Sequence, residues 1–135
     1  MKKLLILTVI ILVLAGGGVG FYLFNKKVGG LEKVKADYYL TASMLYDAYE
    51  TQEQEANAKY LDKILVVKGK VEKIEVDENY SSIILKADNA MTGGVNCSFK
   101  HKINGVNKGD VISIKGRCQG FLMDVVLTNC NKEDE

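Results

Sequence analysis

ILVVKGKVEKIEV, residues 64–76, holds the pattern on which the fold turns. Leu65, Val67, Gly69 and Val71 alternate with Val66, Lys68, Lys70 and Glu72, the two-residue period of a strand with one face buried. Ile74 and Val76 then fall on the other parity. A bulge near Glu72 and Lys73 returns them to the inner face and bends the strand, as a small closed barrel requires.

Downstream, Asp77-Glu78-Asn79 turns the chain into a second strand over residues 81–87, and residues 90–94 form a loop. In the third strand, residues 95–99, Val95, Cys97 and Phe99 face one way. Asn104-Gly105 and Lys108-Gly109-Asp110 punctuate the next connection, before strands at 111–118 and 123–130 joined by a hairpin turn near 119–122. Upstream, Thr41 caps the helical segment ASMLYDAYETQ, whose apolar face is Met44, Leu45, Ala48 and Tyr49. A second helical stretch, residues 53–61, offers Ala56 and Tyr60. Tyr46, Tyr49 and Tyr60 are read as packing residues that seat these helices on the sheet. The expected fold is mainly β with α: a helix packed on a five-stranded Greek-key barrel of the OB type.

Tyr60-x-x-Lys63, Gly69-x-Val71-x-x-Ile74, Cys97, Gly109-Asp110, Gly116-x-Cys118-x-Gly120 and Asp124-Val125-x-Leu127-x-x-Cys130 together resemble the tRNA-anticodon-domain-like OB-fold family, tRNA_anti-like. The resemblance runs from about residue 41 to 131 and implies the helix-plus-barrel fold in a small bacterial protein, membrane-anchored or exported. Many such proteins are lipoproteins, and no cysteine closely follows the apolar start of this chain, so its attachment departs from that pattern. Fold alone does not carry function, which has to be argued from the residues.

The 21 positions from Leu4 to Phe24 carry no charge and are almost wholly apolar. As a helix they reach about 31 Å, the thickness of a bilayer's hydrocarbon core. The competing reading is an exported soluble protein with a cleaved signal peptide, since Lys2 and Lys3 precede the run and Ala15-Gly16-Gly17 suits signal peptidase. Apolar character resuming at Val19, Phe21, Tyr22, Leu23 and Phe24 favours an uncleaved anchor. Lys2 and Lys3 nearly balance Lys26 and Lys27; the amino terminus adds one charge on the first side, and a short, early span normally leaves its long following domain exported, so the N-terminus is expected in the cytoplasm and the domain on the periplasmic side of a bacterial inner membrane. The expected organisation is an anchor over 1–27, a stalk over 28–40, helix plus barrel over 41–131 and an acidic tail over 132–135.

Four of the 18 basic residues and none of the 17 acidic ones lie in the first 27 positions, so the remainder is net about −3. That balance provides no general attraction to nucleic acid. Single-strand readers of the OB type use aromatic platforms on the second and third strands, whereas here, with Val95, Cys97 and Phe99 inward, the third strand presents Asn96, Ser98 and Lys100, the second offers Ser82, Ile84 and Lys86 on one of its faces, and no aromatic residue is clearly outward on either. Lys68, Lys70, Lys86, Lys100 and Arg117 remain as a candidate cationic face for an anionic ligand. His101 lies four residues beyond Cys97, about 13 Å along an extended strand, too far to share one metal ion or form a nucleophile pair. The chain reads as a non-catalytic, membrane-anchored binding or interaction module without cofactor or metal, its ligand an unknown protein or anion. Nucleic-acid binding is the alternative. In an OB barrel the third and fifth strands are parallel neighbours, and the hairpin sets Cys118 opposite Met123 or Asp124. This favours Cys97 and Cys130 as a disulfide pair, against three buried thiols.

Overall fold

The computed structural model describes residues 1–25 and 30–134. The chain begins with α1 (Lys2–Asn25), whose span Lys2–Tyr22 has a mean hydropathy of 2.6 and is not buried against the rest of the protein. A 3₁₀ turn at Leu31–Lys33 leads to β1 (Tyr38–Thr41), followed by α2 (Ala42–Thr51), α3 (Glu53–Tyr60) and β2 (Ile64–Val76). The remaining strands are β3 (Ser81–Lys86), β4 (Gly94–Phe99), β5 (Val111–Phe121) and β6 (Val125–Glu133).

The alternation in β2 buries Leu65, Val67 and Val71. Between Val71 and Lys73 the pairing of β2 with β3 shifts register, so Glu72 is the extra residue and Ile74 lies opposite the buried Ile83. Val76, at the strand's end opposite Ser81, stays largely exposed. The bend lets one strand join two partners: residues 64–70 pair with β5, and residues 70–76 pair with β3. β3 pairs antiparallel with β4, β4 runs parallel to β6, and β6 returns antiparallel to β5, which closes a five-stranded barrel. β1 adds a sixth strand, parallel to the first half of β2.

One end of the barrel is plugged by α2. Ala42, Leu45, Tyr46 and Tyr49 recur at i, i+3, i+4 and i+7 and are all buried. Met44, expected on that face, is exposed instead, because Tyr46 takes the barrel side. The Thr41 hydroxyl accepts from Met44 N at 3.2 Å, the expected cap. The rings of Tyr46 and Tyr49 meet Phe121 at 5.7 and 5.9 Å, and Tyr60 abuts Tyr38 and Tyr49. A Cβ at Gly69 would sit 2.9 Å from that of Ala42, so the glycine admits the helix.

Two expectations change. Residues 31–40 of the expected stalk, 28–40, belong to the folded domain: Leu31 is 2% exposed and packs with Ala36, Ile64 and Val66 on the outside of the barrel, and β1 joins the sheet, while 28 and 29 lie outside the described residues. The last hairpin turns at residues 122–124, not 119–122, because Phe121 belongs to the core beneath α2 and keeps β5 extended past Gly120. Cys118 consequently lies opposite Leu127.

Candidate binding face

Alternation along β3 and β4 turns Ile83, Leu85, Val95, Cys97 and Phe99 inward and leaves Ser82, Ile84, Lys86, Asn96 and Ser98 on the outer surface. The register aligns Ser82 with Ser98 and Glu75, and Ile84 with Asn96 and Lys73. The Ser82 hydroxyl donates to Asn96 Oδ1 at 2.8 Å, and Lys73 Nζ pairs with Glu75 Oε1 at 2.5 Å. The result is a largely polar face, with Ser82 bonded to Asn96 and Lys73 to Glu75, and the aliphatic Ile84 among them. Tyr80, in the loop entering β3, is half-exposed at its edge.

Beside this face, Gly94 N donates to Asp124 Oδ1 at 2.8 Å, which fastens the start of β4 to the β5–β6 turn, and the Tyr46 hydroxyl donates to Thr92 O, which ties the loop at 88–93 to α2. Between them a cleft of about 270 Å³ is lined by Glu72, Lys73, Ile84, Gly93, Met123 and Asp124, among others. Met91, Leu122 and Met123, from the same two loops, are almost fully exposed. Three apolar side chains scattered through turns carry no period, so sequence patterning does not find them. Solvent-facing Met and Leu in turns are the available signal, since adaptable thioether surfaces suit partner binding.

The candidate cations divide. Lys70 and Lys86 face each other across the β2–β3 ladder, and Lys68 follows two residues along the same face of β2. Arg117 pairs with Ile64 at the far end of β2 and donates to Asp62 O. Lys100 follows Phe99, opposite Ser81 at the other end of β3. Five lysines and arginines spaced along a sequence therefore become one group of three and two separate charges.

Cys97, Cys118 and Cys130 are all buried as thiols. Burial pushes the Cys97 thiol well up, and contact with the Cys130 thiol raises it further. Burial also raises Cys118, whose sulfur lies 3.3 Å from the Tyr49 hydroxyl. Protonated sulfur enclosed in a core is the opposite of the exposed, low-pKa thiolate that a nucleophile needs. Among the described residues, no three His, Cys, Asp or Glu side chains converge as a metal site.

Comparison with known proteins agrees with this architecture. The family model described as tRNA_anti-like matches residues 1–132, from the apolar helix through the last strand. The fold is similar to the crystal structure of a "putative nucleic acid-binding lipoprotein" from Klebsiella pneumoniae subsp. pneumoniae MGH 78578. That likeness has a TM-score of 0.54 and 15% identity over 70% of this chain and 91% of the other, and at that identity it speaks to fold. No curated protein matches the chain.

Proposed function

The chain belongs to the tRNA_anti-like family, and from that premise we propose that it is a single-pass, membrane-anchored, non-catalytic binding module on the periplasmic side of the inner membrane whose barrel takes a protein or peptide partner. One observation carries this reading. Where single-strand readers stack bases on rings, the outer face of β3 and β4 presents Ser82, Ile84, Asn96 and Ser98, while Met91, Leu122 and Met123 form an exposed apolar rim beside it. Small or aliphatic residues on the strands, with the Tyr80 ring only at their edge, allow another polypeptide to lie close, and the rim supplies apolar area that leaves water on binding.

A second reading rests on Lys68, Lys70 and Lys86. Two lysines placed directly across a ladder repel, and an anion between them relieves that repulsion. The nucleic-acid binding ascribed to the Klebsiella lipoprotein points the same way. Backbone charge would then supply the affinity, with a logarithmic salt slope of about −0.7 per phosphate neutralised. Titrating labelled single-stranded oligonucleotides against the full chain in neutral nanodiscs separates the two. Weak binding that vanishes at moderate salt, together with an envelope protein captured by a photo-crosslinker at position 123 but not at position 102, supports the protein partner. Submicromolar, salt-resistant oligonucleotide binding makes the nucleic-acid reading correct.

A further inference from the structure

The barrel is fastened to its N-terminal segment from Leu31 onward. Leu31 is enclosed with Ala36, Ile64 and Val66 in a small cluster on the barrel's outside, separate from the main core. Asp37 clamps the same place: its backbone N–H donates to Ile64 O at 2.7 Å, and its carboxylate accepts from Ile64 N at 2.9 Å. The last residue of α1 is Asn25, only six residues earlier. Fully extended, six residue steps reach about 22 Å. If α1 spans the bilayer, the Leu31 seat stays within that distance of the lipid headgroups.

The surface carrying that seat is chemically unlike the binding face. β2 changes character at its bulge: residues 64–71 include Lys68 and Lys70 and no acid, whereas 72–78 contain Glu72, Glu75, Asp77 and Glu78 with a single lysine. Lys33 and Lys35 are exposed beside the seat and add to the basic half. Acids occur there as well. Asp37 accepts from Ile64 N but keeps its negative charge, as do the exposed Glu32 and Asp62, while Glu133 is offset by Lys115 at 2.6 Å. Between the charges stand Tyr39, 71% exposed, Val34, 43%, and Val111, 63%. Tyr39 pairs with Val66, and Val111 with Lys70, so both lie on the outer side of the sheet formed by β1, β2 and β5. A half-wet tyrosine, two valines and a surplus of lysines are what a headgroup layer accommodates: an aromatic ring at the interface, aliphatic tips below it, and cations over anionic lipid.

We propose that the outer side of β1, β2 and β5, with Lys33, Lys35, Lys68 and Lys70, docks on the anionic lipid surface of the membrane that holds α1. The proposal rests on the reading of α1 as a span. Docking in this orientation turns the acidic second half of β2 and the Met91, Leu122 and Met123 rim away from the lipid, so the binding face stays open to a partner.

The full chain is reconstituted into vesicles of phosphatidylcholine alone and of phosphatidylcholine with phosphatidylglycerol at 7:3. A dye is attached at Tyr39→Cys or Met123→Cys, the native thiols being buried. In the anionic vesicles, headgroup-spin-labelled lipid is expected to quench position 39 severalfold more than position 123. The difference should shrink in neutral vesicles, in about 0.5 M salt, and in a Lys33→Glu, Lys35→Glu, Lys68→Glu, Lys70→Glu variant whose circular dichroism is unchanged. Equal quenching at both positions in a chain that resists carbonate extraction overturns the docking while leaving the anchor intact. Extraction of the chain by carbonate overturns the span and the docking together.

Discussion

Gly94 is the tightest point in the barrel. A Cβ there would lie 2.0 Å from the carbonyl oxygen of Leu85, a backbone atom that cannot yield without breaking the β3–β4 ladder. Gly94→Ala is expected to cost more than about 3 kcal/mol, against roughly 1 kcal/mol for Gly105→Ala, where φ is positive but space is open. Urea midpoints of the two variants check this, and similar midpoints would contradict it. Sulfur and phenol groups set the behaviour in alkali. In the reduced chain, burial holds Cys97, Cys118 and Tyr49 above their ordinary pKa values, with the Tyr49–Cys118 hydrogen bond raising the phenol further. Above about pH 9 the unfolded thiols lose protons that the folded ones keep. Stability therefore falls as pH rises, by up to about 1.4 kcal/mol per pH unit for each group, and is flat below about pH 8. Denaturant melts from pH 7 to 11 should show that slope, reduced above about pH 10 in Tyr49→Phe. In an oxidising compartment, the contact between Cys97 and Cys130 makes that pair the expected bridge. Non-reducing peptide mapping should recover the two joined and Cys118 free, while three free thiols would count against an exported domain with this pair closed.

At the scale of elements, the first turn of α2 depends on the bond from Met44 N to the Thr41 hydroxyl. Thr41→Ala should lower stability by about 1 kcal/mol, and Thr41→Ser should restore most of it, measured by thermal melts. Thr41 is legible in the sequence because a cap is a local interaction, and the β2 bulge is legible because a parity change within one strand is also local. β1 is not. Tyr38-Tyr39-Leu40-Thr41 is too short to display a period, and it becomes a strand only because the exposed edge of β2 lies alongside it in parallel. The hairpin turn is misread for a related reason: Gly120, with φ of +105°, has the character of a turn signal but sits at a register shift within the β5–β6 ladder, and the ring of Phe121 continues the core. The cationic candidates are the least legible, since strand register decides whether two lysines are neighbours. Lys70 and Lys86 meet across a ladder 16 positions apart in sequence, while Arg117 and Lys100 are carried to opposite strand ends.

For the whole molecule, if α1 spans the bilayer as proposed, the balance of charge around it is expected to decide which compartment the barrel occupies. Lys2, Lys3 and the amino terminus stand on one side of the apolar run, and Lys26 and Lys27 on the other, a difference of one charge. Orientation set by so small a bias is sensitive to single flanking residues, because the cations nearest the span dominate retention on the cytoplasmic side. Fusions at residue 135 to a reporter active only outside the cytoplasm, and to one fluorescent only inside it, should give a predominantly external signal. The Lys2→Gln, Lys3→Gln chain leaves the amino terminus alone against two lysines, and its two signals should become mixed or invert. Lys26→Gln, Lys27→Gln should sharpen the external signal. An external signal unaffected by any of these changes would mean that the following domain, not the flanking charge, fixes the topology. An N-terminal mass showing cleavage near Gly18 would replace the anchor with a signal peptide, and the barrel's fastening at Leu31 would then tether it to nothing.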